Sequence, residues 1–285
     1  MLHQPLISPQ DLQQLFIDTN KKILIIDSRY DLSNPRAGFL AYQQGHIPNA
    51  YFLDLGKDLC GLKTGKNGRH PLPAKESFAQ HLRNIGLDQD THVIVYDQKD
   101  SMFAAHLWWM LLWAGHPHVQ VLNGGLDAWT DYGGELSAST PLCTRQGNFK
   151  IQPTFAPTVD ALYILNHLEQ PEKIQIVDAR APERYRGEIE PLDPVAGHIP
   201  GAINRSFTLN LDANGRYKPK EELQQEWSQY LTDNPLETIV HQCGSGVSAC
   251  HNILAMAHAG LGMTTLYPGS WSEWCANPDH PTAKG

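Results

Sequence analysis

Five short patterns occur twice in this sequence, in one order and at nearly constant spacing, and a chain built that way folds as two copies of one architecture. ILIIDSR (Ile23 to Arg29) returns as IQIVDAR (Ile174 to Arg180) at an offset of 151. GHIPNA (Gly45 to Ala50) returns as GHIPGA (Gly197 to Ala202) at 152. VIVYD (Val93 to Asp97) answers to TIVHQC (Thr238 to Cys243), with Asp97 opposite Cys243 at 146, and NGGLDAW (Asn123 to Trp129) answers to PGSWSEW (Pro268 to Trp274) at 145. Two helix starts also correspond: Ser8-Pro9-x-Asp11 and Thr158-Val159-Asp160 both read as N-cap residues followed by an acid in the first turn.

Within each copy, apolar runs of strand length alternate with longer helical patterns, which predicts an α/β fold with a mainly parallel sheet flanked by helices. VIVYD reads as a buried strand, and FAAHLWWMLLWAG (Phe103 to Gly115) as a helix stopped by glycine. TIVHQC followed by VSACHNILAMAHAG, stopped at Gly260, repeats the pattern. The polar, proline-bearing stretch from Ser137 to Thr158 reads as the linker. A boundary near 145 divides the chain into 1–145 and 146–285, and 285 residues suit two cores better than one.

Charge narrows the function. Thirty Asp+Glu against 22 Lys+Arg give −8, a field that repels phosphate backbones and anionic lipid, so neither nucleic acid nor a membrane is expected as a partner. The opening MLHQPLISPQDLQQLF lacks the cationic and apolar regions of an export signal and reads as a mature start. The most apolar stretch, Phe103 to Gly115, is too short to span a bilayer. Cys60, Cys143, Cys243, Cys250 and Cys275 are odd in number and scattered, without a CxxC pair. That fits neither a disulfide framework nor a structural zinc site; it predicts no metal, no cofactor and a reducing, cytoplasmic location.

The most informative segment is His241-Gln242-Cys243-Gly244-Ser245-Gly246-Val247-Ser248-Ala249. A hydrophobic strand delivers Cys243 to its C-terminal end, two glycines permit a tight curl, and a helix begins at once, which is where open α/β sheets bind ligands. Backbone N–H groups of Gly244, Gly246, Val247 and Ser248 can converge as an anion nest, reinforced by the helix N-terminus. Two or three such bonds, at about 1.5–3 kcal/mol each, suffice to activate a thiol without a histidine base. Cys243 is therefore the expected nucleophile. Cys250, His251 and His258 on the following helix, and Trp108, Trp109 and Trp113 in the first copy, read as core or helix-surface residues. Asp27, Asp178, His46 and His198 read as loop-fixing residues because both copies carry them.

The Cys-Gly-Ser-Gly-Val-Ser-Ala loop, the paired GHIP[NG]A segments, Asp178-Ala179-Arg180, Arg184-Tyr185-Arg186-Gly187 and the closing Pro268-Gly269-Ser270-Trp271-Ser272-Glu273-Trp274 resemble the tandem-domain rhodanese family, which contains the thiosulfate and 3-mercaptopyruvate sulfurtransferases. The resemblance implies two rhodanese-like domains. The first is non-catalytic, consistent with Asp97 in the nucleophile's place, and the second is catalytic. It implies a thiolate at Cys243 that takes a sulfur from a small anionic donor, becomes a persulfide, and passes the outer sulfur to a thiol, cyanide or thioredoxin-like acceptor. An uncharged loop after the cysteine resembles the 3-mercaptopyruvate enzymes. In that reading Ser245 is the loop hydroxyl that assists proton movement, His70 in Gly68-Arg69-His70-Pro71 its partner, and Arg184 the fork that grips the donor carboxylate.

Two departures stand beside the resemblance. Where the mercaptopyruvate enzymes carry a second arginine in Glu-Pro-Arg, this chain has Glu190-Pro191-Leu192, leaving Arg186 or Arg180 as substitutes, with Arg180 better suited to a structural ion pair. The acid expected beside His70 falls on Gly56, flanked by Asp54 and Asp58. A thiosulfate:cyanide sulfurtransferase and a non-enzymatic sulfur-carrying or regulatory module therefore stay open. A Cys-x5-Arg phosphatase does not fit, because Ala249 stands where its arginine would be.

Overall fold

The computed structural model describes residues 4–18, 21–170, 172–231 and 235–285. They form two compact units, of which the first takes the described residues of 1–60, 73–155 and 213–217 and the second those of 61–72, 156–212 and 218–285.

The first unit runs β1 (Leu6–Ile7), α1 (Pro9–Ile17), β2 (Ile23–Asp27), α2 (Ala37–Gln44), β3 (Tyr51–Phe52), α3 (Lys75–Asn84), β4 (His92–Tyr96), α4 (Met102–Trp113), β5 (Val119–Leu122) and α5 (Gly125–Asp131). Its five strands are ordered β1-β5-β4-β2-β3 and every pairing is parallel. β2 and β4 are runs of β-branched residues because the middle of a parallel sheet is covered on both faces. α4 is apolar all round, and Phe103 through Leu112 are all buried, as expected of a helix with no solvent face. Trp109 stacks on Trp113 at 6.2 Å, so the tryptophan-rich helix packs rather than binds.

The second unit repeats the plan with α6 (Ala161–Leu165), β6 (Gln175–Asp178), α7 (Pro182–Tyr185), β7 (Ile203–Asn204), α8 (Lys220–Ser228), β8 (Ile239–Gln242), α9 (Val247–His258), β9 (Thr265–Leu266) and α10 (Ser270–Trp274). The strand order β7-β6-β8-β9 is again parallel throughout, and a parallel bridge from Thr158 to Leu266 stands where β1 pairs with β5 in the first unit. The α/β fold with two parallel, helix-flanked sheets is thus as expected. One detail differs: the cap of α6 is Asp160 itself, whose carboxylate accepts the Tyr163 N–H at 2.8 Å.

The shared motifs are the same lock built twice. Arg29 Nε donates to Asp27 at 2.9 Å and its Nη2 to the Gly45 carbonyl at 2.7 Å; Arg180 does the same to Asp178 at 3.1 Å and to Gly197 at 2.7 Å. His46 stacks on Tyr42 at 3.9 Å and His198 on Tyr185 at 3.9 Å, each ring donating through Nδ1 to the carbonyl of its stacking partner. These pairs tie the GHIP turn to the strand end, which fixes where each sheet's loops can go.

Sequence order and spatial unit part company in three places. The stretch 146–155, expected in the second half, packs in the first: Phe149 N–H bonds Leu87 O at 3.1 Å and Phe155 N–H bonds Leu112 O at 3.0 Å. Gly147 permits this, since a Cβ there would fall 1.9 Å from Leu87 O. Residues 61–72, from the first half, belong to the second unit, and 213–217 to the first, where Tyr217 N–H donates to Asn123 Oδ1 at 2.8 Å.

Asp88 anchors the 145–149 crossing. Its nearly buried carboxylate accepts from Arg145 Nη1 at 2.9 Å and from the Asn148 N–H at 3.1 Å, and the Arg145 guanidinium holds it down to about 2. A carboxyl lowered on folding stabilises above its ordinary value near 4 and ceases to do so as pH falls through about 2. Asp88→Asn is expected to lower unfolding free energy by about 1–2 kcal/mol at neutral pH. Denaturant titrations from pH 5 to 2 should show the difference from wild type shrinking toward pH 2; a constant difference would assign the anchor to another group.

Candidate functional site

β8 is buried along its whole length and ends at Gln242, so Cys243 is the first residue of the turn leading into α9. The Cys243 side chain is itself buried. α9 starts from Gly246 in the left-handed region at φ +83°, where a Cβ would meet the Pro268 carbonyl at 2.5 Å, so this turn admits only glycine.

The turn is stapled to the start of α10. Trp271 N–H donates to the Cys243 carbonyl at 3.0 Å and Ser272 N–H to the Gly244 carbonyl at 2.9 Å. In a trans peptide the N–H points opposite to the carbonyl, so the staple turns the N–H groups of Gly244 and Ser245 to the far side of the loop, as a nest requires. The Cys243 N–H donates to Ser270 Oγ at 3.1 Å, and that hydroxyl donates on to the Tyr267 carbonyl at 2.9 Å. Ser270 holds this position at φ +52°, a left-handed conformation costly for any residue with a Cβ.

The first unit contains the same staple with a different occupant. Leu126 and Asp127 N–H groups bond the Asp97 and Gln98 carbonyls at 2.9 and 3.0 Å. The Asp97 carboxylate accepts three backbone N–H groups, from Ser101, Phe103 and Ala104, at 3.0, 2.9 and 3.2 Å. Burial pushes this carboxyl up to about 7 and the three N–H bonds oppose the shift. The turn is an anion cradle by construction, filled in one copy by a carboxylate and carrying a thiol in the other.

Of the residues expected from sequence, Cys243, Gly244, Ser245, Gly246, Val247, Ser248, Arg184 and His70 all lie in the second unit. His70 Nδ1 is 2.8 Å from Ser245 Oγ, and both side chains are buried. The histidine comes from the first half of the sequence because 61–72 docks on α10: the Arg69 N–H donates to Ser272 Oγ at 3.0 Å, and Gly68, at φ +83°, passes Gly269 O so closely that a Cβ would sit 2.9 Å away. Asp54 and Asp58 brace their own loop, Asp54 accepting the Gly56 N–H at 2.8 Å and Asp58 the Asp54 N–H at 2.7 Å.

Arg184 Nη1 lies 3.3 Å from where a Gly244 Cβ would be. The guanidinium is held by Glu190 at 2.7 Å and Asp193 at 3.3 Å. Glu190 in turn organises its loop, accepting the N–H groups of Leu192 and Asp193 at 3.1 and 3.2 Å. Leu192 is 48% exposed and offers nothing to an anion. Arg186 pairs with Glu188 on the surface, and Arg180 is consumed by its structural pair with Asp178, so neither substitutes for the arginine absent at 192. The residues that sequence reasoning missed are Arg69, whose Nη2 would be 2.7 Å from a Gly244 Cβ, together with Asp193 and Ser270. Only adjacency to His70 marked Arg69 in the sequence.

The remaining candidates are structural. Cys250 Sγ donates to Gly246 O at 3.2 Å, and burial pushes its thiol well up. His251 lies 3.1 Å from Asn210 Nδ2 inside the core, and burial lowers His258. Among the described residues no group of three His, Cys, Asp or Glu side chains is placed to hold a metal, and no helix is long and apolar enough to cross a membrane.

The rhodanese-like domain family matches residues 8–132 and again 160–277, and the chain belongs to it. A probable 3-mercaptopyruvate sulfurtransferase of Pseudomonas aeruginosa is 44% identical over 92% of this chain and 93% of its own. A putative thiosulfate sulfurtransferase, SseB, of Mycobacterium tuberculosis is 36% identical over 99% and 98%. Among solved structures, SseA from Escherichia coli, one of the 3-mercaptopyruvate sulfotransferases, superposes with a TM-score of 0.80 at 31% identity, covering 94% of this chain and 99% of that one. This protein is a tandem rhodanese-domain sulfurtransferase, an enzyme that works between a sulfur donor and a sulfur acceptor.

Ser270 offers a separable test of the staple. Ser270→Ala and Ser270→Gly both remove the bond to the Cys243 N–H, but only glycine relieves the left-handed backbone, so the glycine variant should be the more stable by about 1 kcal/mol. Equal denaturation midpoints for the two would show that the residue is not strained.

Proposed function

We propose that the second unit transfers sulfur from 3-mercaptopyruvate through a persulfide on Cys243 to a thiol, cyanide or thioredoxin-like acceptor, and that the first unit is non-catalytic. The observation that carries this reading is the Ser245–His70 pair, 2.8 Å apart, standing two residues from Cys243 with the Arg184 guanidinium at Gly244. The Cys243 thiolate attacks the donor sulfur, and the donor's C–S electron pair leaves with carbon as the pyruvate enolate. The proton of the donor thiol, relayed through Ser245 and His70 to the enolate carbon, completes pyruvate and leaves the sulfur on the enzyme as Cys–S–S⁻. An acceptor thiolate or cyanide then takes the outer sulfur and the Cys243 thiolate returns. Thiolate and persulfide are both anions, so one N–H cradle serves each stage.

Thiosulfate is the second reading, supported by the name of the M. tuberculosis relative and by the leucine at 192. Thiosulfate needs no proton at a leaving carbon, so it gives the Ser245–His70 pair nothing to do. An odd number of scattered cysteines without a CxxC pair supports a reducing, cytoplasmic setting.

Brief mixing with 3-mercaptopyruvate is expected to add the mass of one sulfur to the intact chain, and Cys243→Ser to abolish the adduct; an adduct that persists in that variant would place the nucleophile elsewhere. Ser245→Ala and His70→Asn should each lower kcat/KM for 3-mercaptopyruvate by about 10²-fold, and the double variant little more, because the two residues act as one relay. Higher efficiency with thiosulfate than with 3-mercaptopyruvate would decide for the second reading.

A further inference from the structure

The segment that delivers His70 also carries a surface for which the sulfur chemistry has no use. Its ends are joined where the Gly61 N–H donates to the Pro71 carbonyl at 2.8 Å, and Asn67 braces the inside. Asn67 Oδ1 accepts the Thr64 N–H at 2.8 Å and the Thr64 hydroxyl at 3.0 Å, while its Nδ2 donates to the Leu62 carbonyl at 2.9 Å. A loop closed in this way holds its outer side chains in place. Those side chains are Leu62, which is 87% exposed, and Lys63 and Lys66, both exposed and neither in an ion pair among the described residues.

Three more large apolar side chains are exposed at the same edge of the second unit. Ile189 (54%) and Leu192 (48%) lie on the stretch after α7, which follows the C-terminal end of β6, and Leu209 (47%) lies on the turn after β7. The strands run parallel, so these stretches leave the sheet on the same side as the turn after β8 that presents Cys243. Asp193 ties the stretch after α7 to the closed loop, its carboxylate pairing with Arg69 Nη1 as well as with Arg184 Nη2 at 3.3 Å. A small donor or cyanide needs no such rim. Apolar side chains flanked by cations around a reactive sulfur suit a transient protein contact. The charge selects the partner: on a chain at −8, two unpaired lysines beside the site attract an acidic surface and repel a basic one.

We infer that the sulfur leaves this enzyme on an acidic protein thiol, which docks on Leu62, Lys63 and Lys66 and on Leu192 beside them. The transfer step rests on the persulfide proposed above. The acceptor thiolate attacks the outer sulfur of Cys243–S–S⁻, the bond from that sulfur to Cys243 Sγ breaks, and its electron pair restores the Cys243 thiolate. The acceptor departs as a persulfide.

Two acceptor peptides test this, each with one cysteine and one leucine and differing only in whether glutamates or lysines surround them. Enzyme loaded with 3-mercaptopyruvate and freed of excess donor is mixed with either peptide, and loss of the sulfur from the intact mass gives the discharge rate. The glutamate peptide is expected to discharge the wild type about tenfold faster than the lysine peptide, and salt at about 0.5 M to erase the preference. Lys63→Glu combined with Lys66→Glu should invert it, and Leu62→Ala should slow both peptides. Discharge by dithiothreitol and loading by 3-mercaptopyruvate should stay as in the wild type, which also shows that the variants are folded. Equal rates for the two peptides, or a preference that survives the double substitution, would overturn the docking surface. Slower loading of the double variant would overturn it in favour of lysines that steer the donor. Co-sedimentation of the wild type with phosphatidylserine vesicles, lost in the double variant, would overturn it in favour of a membrane. The same peptides carried as thiopyridyl disulfides react with the bare Cys243 thiolate, releasing pyridinethione, and should show the same order of rates at Cys243 by peptide mass. If 3-mercaptopyruvate leaves no sulfur adduct on the wild type, the sulfur-transfer reading fails and this exchange still decides the docking surface.

Discussion

Everything at the candidate site depends on the docking of the start of α10 against the turn after β8. Two backbone N–H groups of α10 take the carbonyls of Cys243 and Gly244, and the Ser270 hydroxyl takes the Cys243 N–H. Ser272 Oγ receives the N–H of Arg69 and so brings in the segment that carries both Arg69 and His70. One short helix thus orients Cys243, its N–H cradle, the segment carrying the histidine of the Ser245–His70 pair, and a cation. The first unit keeps the backbone half of this arrangement, with Leu126 and Asp127 bonded to the Asp97 and Gln98 carbonyls. Gly125, the counterpart of Ser270, has no room for a side chain there: a Cβ would lie 2.5 Å from Asp97 O. The duplicated scaffold is a device for holding a strand-end turn open to an anion, and the side chains placed on it decide whether anything reacts.

The electrostatics of the site run against those of the chain. A net charge of −8 repels a small anion at long range, yet the turn after β8 is built as an anion cradle. The attraction is local, from fixed N–H dipoles and guanidinium groups whose charges are matched by buried carboxylates. Crowding buried Arg180 and half-buried Arg69 and Arg184 together without those partners would cost several kcal/mol. The carboxylates that offset the cluster's positive charge also hold its guanidinium groups in place.

Much of this was legible in the sequence. The repeat declared two parallel α/β units, the β-branched runs located the central strands, and the Gly-x-Gly turn after Cys243 located the cradle, because local propensity and motif spacing act over a few residues. The loop-fixing roles of Asp27, Asp178, His46 and His198 followed from their duplication and hold in the structure. The boundary did not follow: the proline-bearing stretch around 145 reads as a linker, while Gly147, Phe149 and Phe155 bond back to the first unit. Arg69 was passed over for the same reason, since nothing near it in the chain shows that its guanidinium reaches Gly244. Leu192 stands where a second arginine was looked for, and Arg186 and Arg180 are engaged by Glu188 and Asp178.

By itself the sequence determined the fold class and the duplication and pointed to the turn after β8, all of which are encoded in contiguous motifs. Only the tertiary structure decided which unit owns His70 and Arg69, that Asp193 bridges two arginines, and that Ser270 holds the cysteine's N–H from a strained backbone. Those facts depend on contacts between residues far apart in the chain, and such contacts exist only after the elements have packed.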